Sequence, residues 1–145
     1  MSITEDLRTR LFNMQKQEMT QHHIYQRLGR MTPGRNGEIL SEVASDEFRH
    51  YMALEKYTEK TARPNFCIIY FYLLLAKVFG ITFVIKLMER GEIEAEKIYD
   101  ELAEEFPEAI SIKEDEERHE HELIGLLDEE RLAYVSSMVL GLNDA

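Results

Sequence analysis

The chain contains no tryptophan, one cysteine, three prolines and seven glycines in 145 residues. The single cysteine, Cys67, excludes a framework of intrachain disulfides and any iron or zinc centre with four cysteine ligands. We therefore expect a reducing compartment, and a buried structural thiol at Cys67, because no base lies near it in sequence. The scarcity of proline and glycine, with abundant Glu, Leu, Lys and Ala, predicts an all-α protein.

Positive charge is also scarce, with 17 Lys and Arg against 28 Asp and Glu and a net charge of -11. No basic cluster interrupts this pattern, so nucleic acid is not an expected partner. The N-terminus lacks the basic and apolar regions of a signal peptide, which favours a cytoplasmic location. The length fits one domain with a single core.

Four segments carry apolar residues at spacings of three and four, which indicates four amphipathic helices. The first is predicted from residue 2 or 4 to residue 29, before a turn rich in glycine. The second ends near residue 63, where Pro64 stops it. The third is predicted over about residues 81 to 106, and the fourth from about residue 107 or 111 to residue 132.

An unusually apolar segment, residues 66 to 79, lies between the second and third helices. With the start of the third helix it approaches the length of a membrane span, but Lys77 and Lys86 lie inside it and Gly80 interrupts it. We interpret it as a buried connecting helix. Because it is apolar on all sides, we expect a second subunit to cover it. The sequence thus predicts a homodimer.

Side chains that ligate metals occupy the apolar faces of all four helices. A buried, unpaired carboxylate costs several kcal/mol, so several of them in one core require cations. Glu-x-x-His pairs are expected by chance in so acidic a chain, but these two pairs replace apolar residues near the middle of their helices. We therefore predict a pair of divalent metals in the core. The ligand candidates are Glu18, Glu47 with His50, Glu89, and Glu116 with His119.

One Glu from each of two helices and Glu-x-x-His from each of the other two form the ligand set of ferritin-like dimetal carboxylate bundles. With a Glu-x-x-Glu on the third helix, residues 2 to 132 resemble rubrerythrin and its relatives. The resemblance implies a ferritin-like antiparallel four-helix bundle, in which the apolar segment is an additional connecting helix. It also implies two iron ions, with manganese as the alternative. The rubredoxin module of full rubrerythrins is absent, because its four cysteines are absent.

The resemblance implies a role for each ligand. Glu92 matches the extra carboxylate that, in rubrerythrins, exchanges with the histidine of the second helix when the iron changes oxidation state. Tyr25 matches a tyrosine of the second shell. The remaining roles are bridging for Glu47 and Glu116, terminal ligation for Glu18 and Glu89, and one nitrogen to each metal from His50 and His119.

A second resemblance lies at the C-terminal end. Residues 126 to 145 are similar to the start of the vacuolar iron transporter family, where such a stretch leads into the first membrane helix. Residues 79 to 92 resemble the ferritin-like domain of membrane-bound ferritins, which is fused ahead of that transporter. This implies a ferritin-like domain at residues 1 to 132 and, at residues 133 to 145, an apolar tail that leads into a membrane transporter domain outside this chain. The domain would lie at the cytosolic face of the membrane.

The first interpretation is therefore Fe(II) oxidation by oxygen or peroxide in the cytosolic domain of an iron or manganese transporter. A stand-alone rubrerythrin-like peroxidase with a separate electron-donor protein stays open, as does a metal-sensing module without turnover. His22 and His23 are candidates for an accessory metal site, although polar or second-shell roles suit them better. We expect Asp115 and Glu117 on an exposed face, with Glu120 an outside candidate for the site.

Overall fold

The computed structural model describes residues 5–103 and 106–143, and within them all side chains except those of residues 89–98, 101 and 127–143. The described part of the chain contains five helices and no strand, so the predicted all-α class is confirmed. The helices are α1 (Glu5–Met31), α2 (Gly34–Thr58), α3 (Phe66–Phe79), α4 (Ile81–Leu102) and α5 (Glu108–Asn143).

Three helices end at residues clearly different from the predicted ones, and one of them is α4, which ends at Leu102 and not near residue 106. α2 ends at Thr58, because Glu59 adopts a left-handed backbone conformation with φ of 55° and its N–H donates to the carbonyl of Glu55. α5 continues through residue 132 to Asn143, so the predicted domain boundary falls inside a helix, and the domain assignment stays a prediction. None of the described helices combines the length and the apolar character that crossing a bilayer demands.

α1 and α2 are joined by a connection of two residues and pack against each other. Close to the connection they approach at Gly29 and Gly37, where a Cβ on Gly37 would lie 2.0 Å from the carbonyl oxygen of Thr32. At the far end, the Oε1 atom of Gln15 accepts a hydrogen bond from the hydroxyl of Thr58 at 2.7 Å. These contacts hold the two apolar faces side by side, facing α4 and α5.

The apolar core consists of two clusters that lie on either side of a buried polar layer. In α1, the residues of one cluster include Leu11, those of the other include Leu28, and Glu18 lies between them. The same order holds in α2 and in α5, where each Glu-x-x-His pair separates residues of the two clusters. Burial of each large apolar side chain contributes about 1.5–3 kcal/mol, so the two clusters hold the polar layer in place.

α3 has one face against the core and one face outward. Asn65 caps its N-terminus by accepting a hydrogen bond from the N–H of Ile68, and Ile69 is fully buried. Cys67 is exposed, so the expectation of a buried thiol was wrong. Cys67 and Ile69 are two residues apart, which is about 200° around a helix, so the two side chains lie on opposite faces of α3. The outward face is 42–62% exposed and consists of Phe66, Ile68, Tyr70, Phe71, Leu74, Val78 and Phe79.

Candidate metal centre

Five of the seven predicted ligands come together in the buried polar layer. The ligand atoms of Glu18, Glu47, His50 and Glu116 all lie within 4.8 Å of one another. His119 adjoins this group, with Nδ1 at 3.5 Å from Glu47 Oε1 and at 3.7 Å from Glu116 Oε2. All five side chains are buried. We call these five residues the carboxylate–histidine cluster.

The two central carboxylates each direct one oxygen towards each histidine. Glu47 Oε2 lies 3.8 Å from His50 Nδ1, whereas its Oε1 lies near His119 Nδ1. Glu116 Oε1 lies 3.2 Å from His50 Nδ1, whereas its Oε2 lies near His119 Nδ1. The two imidazole ring centroids are 6.0 Å apart. The cluster therefore presents two neighbouring sets of ligand atoms that share Glu47 and Glu116.

Glu18 belongs to the His50 side of the cluster. Its Oε2 lies 3.7 Å from His50 Nδ1, and its Oε1 accepts a hydrogen bond from the hydroxyl of Tyr99 at 2.5 Å. Among the described side chains, no third carboxylate lies within ion-pair distance of His119 Nδ1. The side chains that the structure describes thus leave the His119 side with one carboxylate fewer than the His50 side.

The two remaining predicted ligands, Glu89 and Glu92, belong to α4. Their side chains lie outside the described residues, so their roles stay predictions. On either side of this stretch, Met88 and Tyr99 are both buried. α4 therefore turns the same face to the core before and after the two glutamates.

Several ligand atoms of the cluster are buried without a hydrogen-bond partner. They are Glu18 Oε2, His50 Nδ1, Glu116 Oε2 and His119 Nδ1. Leaving such an atom unsatisfied costs about 1–3 kcal/mol, and more when it is charged. Four of them in one cluster, all with lone pairs that bind metals, fit a bound cation. A set rich in carboxylate and poor in nitrogen suits iron or manganese better than copper or structural zinc.

Burial and neighbouring charges shift the pKa values of the cluster in opposite directions. Burial alone would lower the pKa of His50, but the carboxylates of Glu116 and Glu18 raise it to about 10. Burial alone would raise the pKa of Glu18, but the neighbouring side chains of His50, Glu47 and Tyr99 lower it. For Tyr99, burial and the Glu18 charge raise the pKa, so the phenol stays a donor.

The second nitrogen of each histidine contacts an aspartate of the other helix. His50 Nε2 lies 3.0 Å from Asp115 Oδ2, and His119 Nε2 lies 2.9 Å from Asp46 Oδ2. Such a hydrogen bond keeps the proton on Nε2 and leaves Nδ1 to act as the ligand. The expectation of an exposed Asp115 was therefore wrong, since only 9% of this residue is exposed. The burial of Asp115 was missed because this residue lies in an acidic run with Glu116 and Glu117, and such a run usually indicates a solvated helix face.

Two arginines join the two aspartates into a closed arrangement that we call the Asp–Arg ring. Arg49 Nη2 lies 2.6 Å from Asp46 Oδ1 and 2.9 Å from Asp115 Oδ2. Arg118 Nη2 lies 2.6 Å from Asp46 Oδ2, and its Nη1 lies 2.7 Å from Asp115 Oδ1. The sequence did carry a signal for the ring, because residues 46–50 and 115–119 share the pattern Asp-Glu-x-Arg-His.

The other residues considered from the sequence have different surroundings. Tyr25 is fully buried in the core cluster that contains Leu28, and its role near the ligands stays a prediction. His22 Nδ1 contacts the carbonyl oxygen of Ala44 at 2.6 Å, which gives this histidine a structural role. Within the described residues, His22 and His23 form no metal-binding group with other side chains.

Comparisons of this chain with family models, with curated proteins and with solved structures found no match. Its function is therefore inferred from its own residues.

Proposed function

We propose that this chain binds two iron ions, or manganese in their place, and oxidises Fe(II) with oxygen or peroxide. The observation that carries the proposal is the division of the oxygens of Glu47 and Glu116 between His50 and His119. One ion would need only one set of ligand atoms. Two sets that share two carboxylates would suit two ions held side by side, as in dinuclear metal sites.

The chemistry of the cluster favours the oxidised state of the substrate metal. Anionic oxygens in a buried site stabilise Fe(III), with its higher charge, more than Fe(II). Two Fe(II) ions supply two electrons, and one hydrogen peroxide takes up these electrons and two protons to give two waters. The protein would hold both ions side by side, and its two apolar clusters would exclude water from the site.

We further propose that α1, α2, α4 and α5 form a ferritin-like antiparallel four-helix bundle, with α3 as the connecting helix. The support is the common order of core cluster, ligands and core cluster in α1, α2 and α5. In this arrangement α4 would supply the carboxylate that the His119 side lacks. By the resemblance to rubrerythrins this is Glu89, and Glu92 would be the ligand that exchanges with His50.

The outward face of α3 supports a homodimer. It carries four exposed aromatic rings, and an aromatic side chain buries about 150–250 Å² when it is fully covered. These rings are 51–62% exposed, so covering all four would bury about 350–550 Å². With Ile68, Leu74 and Val78, the face approaches roughly the 800 Å² per partner of a standard interface. The link to a membrane iron or manganese transporter, through a C-terminal extension, depends on the resemblance of residues 126 to 145 alone.

An anaerobic titration with Fe(II), followed by a pulse of peroxide or oxygen, tests the function. We expect two Fe(II) per chain and rapid oxidation of both. Glu116→Ala should lose both ions, because Glu116 contacts both sides of the cluster, whereas Glu117→Ala, at the exposed neighbouring position, should behave as wild type. One ion or none per chain would contradict the dinuclear proposal. Two ions without rapid oxidation would favour the metal-sensing function, and oxidation that needs an electron-donor protein to continue would favour the stand-alone peroxidase.

A further inference from the structure

The Asp–Arg ring lies behind the two histidines and supplies no atom to the carboxylate–histidine cluster. Its aspartates are nearly buried, whereas the side chains of Arg49 and Arg118 are 61% and 48% exposed. The arginines thus contact the cluster only through Asp46 and Asp115. What they do there depends on which oxygens they occupy.

Each arginine donates to the same aspartate oxygen as the histidine that follows it in sequence. Asp115 Oδ2 accepts from His50 Nε2 at 3.0 Å and from Arg49 Nη2 at 2.9 Å. Asp46 Oδ2 accepts from His119 Nε2 at 2.9 Å and from Arg118 Nη2 at 2.6 Å. In both places a charged donor competes with the histidine N–H for one oxygen.

This competition has a direct effect on the ligand nitrogen. A carboxylate that accepts from Nε2–H raises the electron density of the imidazole and makes Nδ1 a stronger donor to a metal. A guanidinium on the same oxygen withdraws charge from that carboxylate, so the histidine hydrogen bond weakens. The aspartate therefore strengthens the ligand, and the arginine limits the effect.

We propose that Arg49 and Arg118 are positioning residues that set the donor strength of the two histidine ligands, Arg49 for His50 and Arg118 for His119. The inference rests on the proposed metal-binding function. The competing explanation is that the arginines only hold α2 against α5. In that case their removal would loosen the aspartates and weaken both histidine hydrogen bonds. Our proposal predicts the opposite, namely that removing an arginine strengthens the hydrogen bond of the histidine.

Zinc is redox-inert and diamagnetic, so NMR of the zinc-loaded protein can measure whether removing an arginine strengthens or weakens the histidine hydrogen bonds. In the zinc-loaded protein, the proton on each histidine Nε2 gives an NMR resonance that moves downfield as its hydrogen bond strengthens. Arg49→Gln should move the His50 resonance downfield more than that of His119, because Arg49 shares the Asp115 oxygen that His50 uses but occupies the other oxygen of Asp46. Arg118→Gln should move the His119 resonance more, for the same reason. Arg35→Gln, which removes the same charge from an exposed position paired with Glu38 and Glu42, should move neither.

Calorimetric titration with zinc gives the second measurement. Asp46→Asn and Asp115→Asn should lower zinc affinity by about 10- to 100-fold, as expected for the partner of a histidine ligand. The Arg49→Gln and Arg118→Gln variants should bind zinc at least as tightly as wild type. Each arginine shares an oxygen with a different histidine, so if one variant fails to fold, the other still provides a test.

The outcomes separate this inference from the function on which it rests. A wild-type chain that binds neither zinc nor Fe(II) would refute both. A chain that binds zinc, but whose arginine variants move the resonances upfield, move both equally or move neither, would refute the inference alone. Downfield movement that is larger for the histidine next to the substituted arginine would support it.

Discussion

Replacing Glu47 with glutamine tests the shared carboxylates through the stability of the folded chain. Glu47 is fully buried, and the carboxylates of Glu18 and Glu116 lie in the same cluster. Without metal, a neutral side chain of the same shape reduces the concentration of negative charge in this apolar environment. We therefore expect the metal-free variant to be as stable as wild type, or more stable by up to about 3 kcal/mol.

With bound metal, wild type should be more stable than the Glu47→Gln variant. At a free metal concentration 100-fold above the dissociation constant, each site adds about 2.7 kcal/mol to the free energy of unfolding. Two sites in wild type then add about 5 kcal/mol, or roughly 20 °C in melting temperature at about 4 °C per kcal/mol. Glu47→Gln should lose most of this gain, because one oxygen of Glu47 lies beside each histidine. Glu18→Gln should keep about half, because Glu18 lies on the His50 side only.

Thermal unfolding followed by circular dichroism, with excess Mn(II) and separately with a chelator, measures both effects. A Glu47→Gln chain that is destabilised without metal, and still gains as much from Mn(II) as wild type, would refute the reasoning. Equal losses of the metal effect in Glu47→Gln and Glu18→Gln would refute the assignment of Glu47 as a shared ligand.

Three further predictions concern pH, packing and assembly. The folded pKa of His50 in metal-free protein, about 10, exceeds its ordinary value of 6.5, so the stability from this proton is complete below about pH 6.5 and is lost as pH rises towards 10. Metal affinity measured by calorimetry should rise over the same interval, and an affinity independent of pH would contradict this. Gly37→Ala should lower stability in urea unfolding by about 2 kcal/mol or more, because its Cβ meets the Thr32 carbonyl. Gly125→Ala, where no described atom lies within 4 Å of the new Cβ, should be neutral or stabilising, and equal stabilities of the two variants would contradict the close packing of α1 and α2. Leu74→Glu, on the outward face of α3, should give a monomer in analytical ultracentrifugation, and a wild-type chain that is already monomeric would place the predicted dimer in error.

The helices and the inward ligands could be predicted because a single period explains both. Glu18, Glu47 and Glu116 replace apolar residues at spacings of three and four, so their burial follows from the helix that carries them. The Asp–Arg ring could not be predicted in this way. Asp46 and Asp115 lie beside the apolar face, where charged residues are normally solvated, and only the packing of α2 against α5 brings each to the histidine of the other helix.

Tyr99 and Cys67 show two other limits of the sequence. Tyr99 lies on the apolar face of α4, and nothing in that pattern distinguishes an aromatic residue that fills space from one whose hydroxyl reaches Glu18. Cys67 belongs to a segment that is apolar on every side, so the sequence cannot tell the inward face of α3 from the outward one. In both cases the missing information is the direction of a neighbouring helix, which one-dimensional periodicity does not contain.

If the chain binds metal as proposed, the hydrogen bonds between α2 and α5 make metal binding and the packing of these two helices parts of one equilibrium. Each histidine is oriented by the aspartate of the other helix, so neither set of ligands is complete unless the two helices are in contact. A change that separates α2 from α5 without touching a ligand should therefore weaken both sets together. A change on the outward face of α3 should weaken neither, because that face lies outside both core clusters. Under the proposed function, metal affinity would therefore measure how well the two helices pack, as well as the ligands that they carry.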